Sequence, residues 1–210
     1  MDTRILRRPL PFRSFNATVY LIAANVVVFL LSRYVRGAFA TLALVPDTVV
    51  NGSSWWQLVT YMFVHGDFYH ILFNMLALFI FGIQLEHRMG SLEFLLYYFV
   101  CGIGVGLLTL LINYNTGLER VAVVGASGAI YGLLLAFATF FPDSRIFVLG
   151  FIPLRAPVAV LVFAGLALFF QFTGFNSGVA HLSHLFGLLL GYLYILVRYG
   201  INPIRVFFKR

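Results

Sequence analysis

Between residues 123 and 132 the chain reads VVGASGAIYG, placing one hydroxyl, Ser127, among glycines and alanines where a loop gives way to an apolar segment. Two other apolar segments carry polar groups near their starts: His70 and Asn74, four residues apart and so on one helix face, and His181 and His184. A serine hydroxyl is a weak nucleophile until a base within about 2.6–3.2 Å takes its proton. His184 can be that base if its segment touches the one carrying Ser127, and His181, near the same face, competes for the role. No carboxylate lies in either segment, so the chemistry open to them is that of a dyad. Attack on an amide carbonyl also develops an oxyanion, for which the Ser127 backbone N–H, the Asn74 side-chain amide and His70 are candidate donors.

Taken singly, each of these residues has an ordinary explanation. Serine in a membrane helix commonly packs as a small residue or bonds to backbone. His70 reads equally as interfacial, Asn74 as an interhelical hydrogen bond and Tyr131 as core. The soluble nucleophile elbow G-x-S-x-G is not matched, because Ala129 replaces its last glycine and no strand is expected before Ser127. The case for chemistry rests on where the elements put these residues.

Of 210 residues 61% are hydrophobic and 10% charged, far more apolar than a soluble core of this size requires. Apolar runs at 17–32, 68–85, 92–112, 127–141, 157–172 and 180–197 approach the ~20 residues of a membrane-crossing helix, and their continuity argues against an alternating β-barrel. The expected fold is an all-α, six-span bundle. The net charge of +7 lies mainly at the chain ends beside apolar segments, which fits topology and excludes nucleic acid as a partner. With both termini inside, eleven Lys/Arg fall in the cytoplasm and only Arg33, Arg36 and Arg120 outside. Residues 1–16 then form a cytoplasmic tail rather than a transit peptide, 17–198 the membrane domain and 199–210 a basic cytoplasmic tail. No repeat or second domain is visible, and the lone Cys101 reads as a buried thiol.

In this orientation spans 2, 4 and 6 all enter from the outer face, so Ser127, His70, Asn74 and His184 lie within one or two turns, ~5–10 Å, of one surface. Span 4 holds 15 residues, ~22 Å of helix against a ~30 Å hydrocarbon core, so its first turn should be recessed and reached by a water-filled cavity. Gly128 and Gly132 on span 4 and Gly187 and Gly191 on span 6 have the small-xxx-small spacing that lets helices approach closely. Tyr131, one turn after Ser127, can hold the imidazole by stacking. In the long connection 33–67, Trp55, Trp56 and Tyr61 suit the membrane interface, as does His65. His87 reads as a loop residue, His181 as cavity-lining, and Glu86 with Arg88 as a loop-bracing polar pair. The connection after span 4 is a short loop punctuated by Pro153 and Pro157. HGDFYH hints at metal ligands, but no third ligand follows at helical spacing, so neither metal nor cofactor is expected.

Over nearly its whole length the sequence resembles the rhomboid intramembrane serine proteases, through WWQLVTYMFVH, HILFNMLALFIFGIQLEHRMGS, GASGAIYG and AHLSHLFGLLLGY. The resemblance implies Ser127 as nucleophile, His184 as base, His181 as non-catalytic, His70 and Asn74 as the oxyanion-stabilising pair, and Gly125 as the motif glycine. Ser183, where the family often has alanine, and WWQ, where a tryptophan–arginine pair is frequent, are departures that leave the dyad untouched. It further implies single-span membrane proteins as substrates, cut near the outer end of the helix after a small residue, lateral entry between spans 2 and 5, and a basic bacterial type in the plasma (inner) membrane. A catalytically idle relative that binds transmembrane clients is the alternative. A channel fits badly, since a conduit needs polar groups through the full thickness.

Overall fold

Long runs of Leu, Val, Ile and Phe without interior proline have one way to satisfy their backbone in lipid, the helix. In the computed structural model, which describes residues 7, 10–148, 150–173 and 181–208, they form α1 (Ala17–Tyr34), a rod from Phe68 to Met89, α7 (Ser91–Asn115), α8 (Ser127–Phe140), α9 (Ala156–Thr173) and α10 (His181–Tyr199). Within the rod, α5 (Phe68–Ala77) and α6 (Ile83–Met89) are joined by a π-helical turn, Leu78–Gly82. Among the described residues five helices are long and apolar enough to cross a membrane; α8, with 14 residues, is shorter. The protein is a mostly helical, polytopic membrane protein. Arg4, Arg8, Lys209, Arg210 and Ala180, used in the sequence-based topology, lie outside the described residues.

Eleven of the 14 residues of α8 are buried, on every side of the helix. A helix apolar all round belongs in the centre of a bundle, and α7, α9 and α10 pack around it. Tyr97, Tyr98 and Phe94 of α7 are fully buried, Tyr97 against α8.

Between α1 and α5 lie three short helices, α2 (Ala38–Leu42), α3 (Pro46–Val50) and α4 (Gln57–Thr60), and a 3-10 turn, Tyr61–Phe63. Buried Gln57 ties this loop together: its carbonyl oxygen accepts from Val45 N (3.0 Å) and Thr48 Oγ1 (2.9 Å), and its amide donates to Thr41 O (3.3 Å). The residue that departs from the family's usual arginine is thus bonded as a neutral brace. The loop is stitched to the segment before Ser127 by paired bonds between Leu44 and Val123 and by Gly125 N–H donating to Tyr61 O (2.9 Å).

Four sequence expectations are corrected. Tyr61 is not interfacial: it is buried and donates to Gly102 O (2.6 Å), fitting where Gly106 lacks a side chain, whereas Trp55 and Trp56 remain exposed. His65 is also buried. Glu86 and Arg88 do not pair, because residues two apart on a helix point away from each other. Glu86 accepts from the backbone of Ala17 (2.6 Å) and Thr18 (2.9 Å) and from the Ser91 hydroxyl, capping α1 from another helix, while Arg88 lies 5.7 Å over the Phe140 ring. His87 lies in α6, not in a loop.

After α8 the chain forms a hairpin, β1 (Arg145–Val148) antiparallel to β2 (Ile152–Arg155), where a plain loop was expected. Residues beyond α10 include α11 (Pro203–Phe207), N-capped by Asn202 and packed through Phe207 against the core.

Candidate active site

Ser127 is the first residue of α8, so its N–H is among those that a helix leaves without an internal acceptor. α8 and α10 cross backbone to backbone below it. A Cβ on Gly187 would collide with Gly128 O, and one on Gly191 would lie 3.1 Å from Gly132 Cα. This approach brings His184 Nε2 to 2.9 Å from Ser127 Oγ. The Tyr131 ring stacks on His184 at 4.3 Å between centroids and 3° between planes. With Nε2 accepting the serine proton the imidazole N–H is assigned to Nδ1, a buried atom without a partner among the described residues.

Ser127, His184, Tyr131, His70 and Asn74 line one cavity of about 1350 Å³, with Phe163 of α9 in its wall beside Tyr131. Asp67 caps α5 by accepting from His70 N–H (2.9 Å). The His70 ring takes a long bond from Gly66 N–H to Nδ1 (3.4 Å), and Asn74 Nδ2 donates to His70 O (2.8 Å). Gly125 is required twice over: its φ is 111°, and a Cβ there would lie 2.7 Å from His70 Nε2. The sequence candidates Ser127, His184, His70, Asn74, Tyr131, Gly125, Gly128 and Gly187 therefore converge.

His181, expected to line the cavity, is instead buried against Phe170 (5.3 Å between rings) and edge-on to His184 (6.1 Å). Three residues before His184, it points toward α9 rather than toward Ser127. His65 sits edge-on to His70 with ring centroids 4.9 Å apart. Burial first, and His70 second, push its pKa down to about 4. The histidine–histidine spacing in HGDFYH was the available signal, but which way His65 points depends on the turn before α5. Departure Ser183 also has a contact, Thr109 Oγ1 at 2.9 Å, in the cavity wall. No group of three metal-ligating side chains occurs among the described residues.

This arrangement can remove a proton from a hydroxyl in the lining of a cavity between the helices. The comparisons with known proteins agree with the fold. A family model described as "Rhomboid domain" matches residues 52–200. The chain is 36% identical over 147 residues to a Bacillus subtilis (strain 168) protein named "Putative rhomboid protease YdcA", covering 69% of this chain and 67% of that one. It is 38% identical over 86 residues to "RHOMBOID-like protein 6, mitochondrial" of Arabidopsis thaliana, 41% of this chain but 26% of the relative. Against "Rhomboid-like protein 11, chloroplastic" of the same plant it is 32% identical over 193 residues, 86% of this chain and 65% of the relative. The chain thus spans about a quarter of one plant relative and just under two thirds of the other. With a helical membrane bundle and a family match over more than half of its length, the chain belongs to the rhomboid family.

Proposed function

We propose that this protein is an intramembrane serine endopeptidase that cleaves single-span membrane proteins near the outer end of their transmembrane helix. The observation that carries the reading is the 2.9 Å approach of His184 Nε2 to Ser127 Oγ, between two largely apolar helices held together at glycines. In the first step Ser127 Oγ attacks the scissile carbonyl carbon as its proton passes to His184 Nε2. The oxyanion is met by the Ser127 N–H at the start of α8, with the Asn74 amide and His70 on the facing helix as further donors. His184 then protonates the leaving amine, the peptide C–N bond breaks, and an ester to Ser127 remains. Water entering through the cavity gives a proton to His184 as its oxygen attacks the ester carbon; His184 then returns that proton to Ser127 Oγ as the ester C–O bond breaks, which frees the new carboxyl end and the serine. Stacking on Tyr131 keeps the imidazole aimed without a third, carboxylate member.

A peptide bond inside a helix is hydrogen-bonded and shielded, so the substrate must unwind locally to reach a serine at this depth. The 14 residues of α8 amount to ~21 Å, which supports reading it as a recessed fourth span alongside the five long helices. The proposed organisation is a cytoplasmic tail at 1–16, a six-span domain at 17–198 and a basic tail from 199, in a bacterial inner membrane with the site opening outward.

The test is cleavage of a single-span reporter by the detergent-purified protein. Ser127→Ala and His184→Ala should each lower turnover by about a thousandfold or more, while His181→Ala should retain cleavage. Cleavage that survives Ser127→Ala contradicts the proposal.

A further inference from the structure

Tyr97 lies on α7, outside the cavity, with its ring fully buried. Its hydroxyl donates to Gly132 O of α8 at 2.6 Å. A Cβ on Gly191 of α10 would collide with that same hydroxyl, so the phenol tip fills the notch where the two helices cross. The ring is edge-on to Tyr194 of α10, with centroids 4.9 Å apart and planes at 86°. Tyr194 in turn donates to Glu93 Oε1 (2.7 Å), one turn before Tyr97 on α7. Arg198 Nε and Nη2 reach the same carboxylate at 2.7 and 2.8 Å. One helix therefore fixes two others: Tyr97 against α8, and Tyr97, Glu93 and the notch at Gly191 against α10.

Resting on the proteolytic reading above, we infer that Tyr97 is a positioning residue for the dyad. Ser127 stands five residues above Gly132 on α8, and His184 stands seven residues above Gly191 on α10, so the notch acts as the fulcrum of the crossing. Rotation or separation of the helices at the fulcrum is carried to Oγ and Nε2, whose 2.9 Å contact tolerates little of either. Side chains at this depth are close-packed, so displacement at the notch passes to the helix ends rather than being absorbed. The hydroxyl has two functions there: it gives Gly132 O a second donor, and it sets how near Gly191 can come. Glu93 and Arg198 hold the lower end of α10 so that Tyr97 works against a fixed partner.

The test measures the rate at which a fluorophosphonate labels Ser127, together with kcat and KM on a single-span reporter, with thermal melting followed in parallel. Tyr97→Phe keeps the ring and removes the hydroxyl. The expected result is a labelling rate and kcat each lower by about tenfold, with KM within about twofold of wild type and a melting midpoint within a few degrees. Gly191→Ala should slow labelling further, and the Tyr97→Phe/Gly191→Ala pair should label faster than Gly191→Ala alone, because the methyl gains the space that the hydroxyl held. Recovery should be partial, since the methyl still meets Gly132 Cα at 3.1 Å. Wild-type labelling by Tyr97→Phe, a KM change without a kcat change, or a double variant whose loss is the product of the two single losses overturns the inference while the proteolytic reading stands. If Gly191→Ala does not fold, the Tyr97→Phe rate alone decides. Absence of labelling at Ser127 in the wild-type protein overturns both.

Discussion

At the end of the bundle away from Ser127, the Glu86 carboxylate takes hydrogen bonds from Ala17, Thr18 and Ser91, and Glu93 takes them from Tyr194 and two nitrogens of Arg198. At the Ser127 end, His184 Nδ1, His181 Nε2 and His65 Nε2 have no partner among the described residues, and the groups face or flank a cavity of about 1350 Å³. Both ends bury polar groups in an apolar surround, where an unmet group carries a penalty of about 1–3 kcal/mol. At one end each carboxylate takes three hydrogen bonds and gains rigidity, although Thr18 Oγ1 beside Glu86 has no partner among the described residues. The other keeps capacity in reserve, as a site must if a substrate carbonyl, a leaving amine and a water are to be served there in turn. The carboxylates with full sets of donors belong to the scaffold, and the histidines with a nitrogen in reserve lie at or beside the proposed site.

Breaking the saturated end should therefore cost stability first. Glu86→Ala leaves two N–H groups of α1 and the Ser91 hydroxyl without their acceptor, and a loss of about 3 kcal/mol is expected in denaturant unfolding in detergent. The specific activity of the folded fraction should stay near that of wild type. A large fall in activity per folded molecule would erase the distinction between the ends.

Gly187→Ala strikes the join between them. The added methyl meets the Gly128 carbonyl and forces α8 and α10 apart directly below the dyad. A kcat lower by about a hundredfold is expected, together with weaker labelling of Ser127, while normal activity would mean that the helices do not need this proximity.

At the unsaturated end the reverse pattern is expected. Asn74→Ala should lower kcat by about ten- to a hundredfold and change the melting midpoint little, because among the described residues the amide bonds only back to His70 O within its own helix. A stability loss with unchanged kcat would make Asn74 part of the scaffold.

The smallest effect concerns His65. Its pKa, held at about 4 in the folded protein against 6.5 for the free side chain, means that the unfolded chain takes up the proton first as the solution is acidified. Its contribution is neutral above pH 6.5 and becomes a loss of stability that grows as pH falls from 6.5 to about 4. Melting measured at pH 7.5 and 4.5 should show a smaller acid-induced drop in His65→Gln than in wild type; an equal drop would place the acid sensitivity elsewhere.

The reserve end was the more legible of the two in the sequence. Ser127 opens α8 at the residue where the loop was expected to end, and the glycine spacing anticipated the contact between α8 and α10, because close packing leaves its mark in residue size. The helix runs were readable for a similar reason: a segment surrounded by lipid declares itself by composition and length. The saturated end was opaque. Nothing local relates Glu86 to Ala17, 69 residues away, or Glu93 to Arg198, 105 residues away, and the sequence offers Glu86 only its neighbour Arg88 instead. The Arg145–Arg155 hairpin leaves little mark in the sequence, because its strands have four residues each and Pro153 interrupts the second. Residue type alone points Tyr61 and His65 to the interface and says nothing of the pocket that Gly106 opens on α7 or of the turn that aims His65 at His70.

The central claim is that Ser127 is activated by His184 alone. Its most direct test is fluorophosphonate labelling of the detergent-purified protein, with the modified residue located by mass spectrometry in wild type, His184→Ala and His181→Ala. The account predicts modification at Ser127 in wild type and His181→Ala, and its loss in folded His184→Ala; labelling of Ser127 at an unchanged rate in His184→Ala, or modification at a different serine, would contradict it.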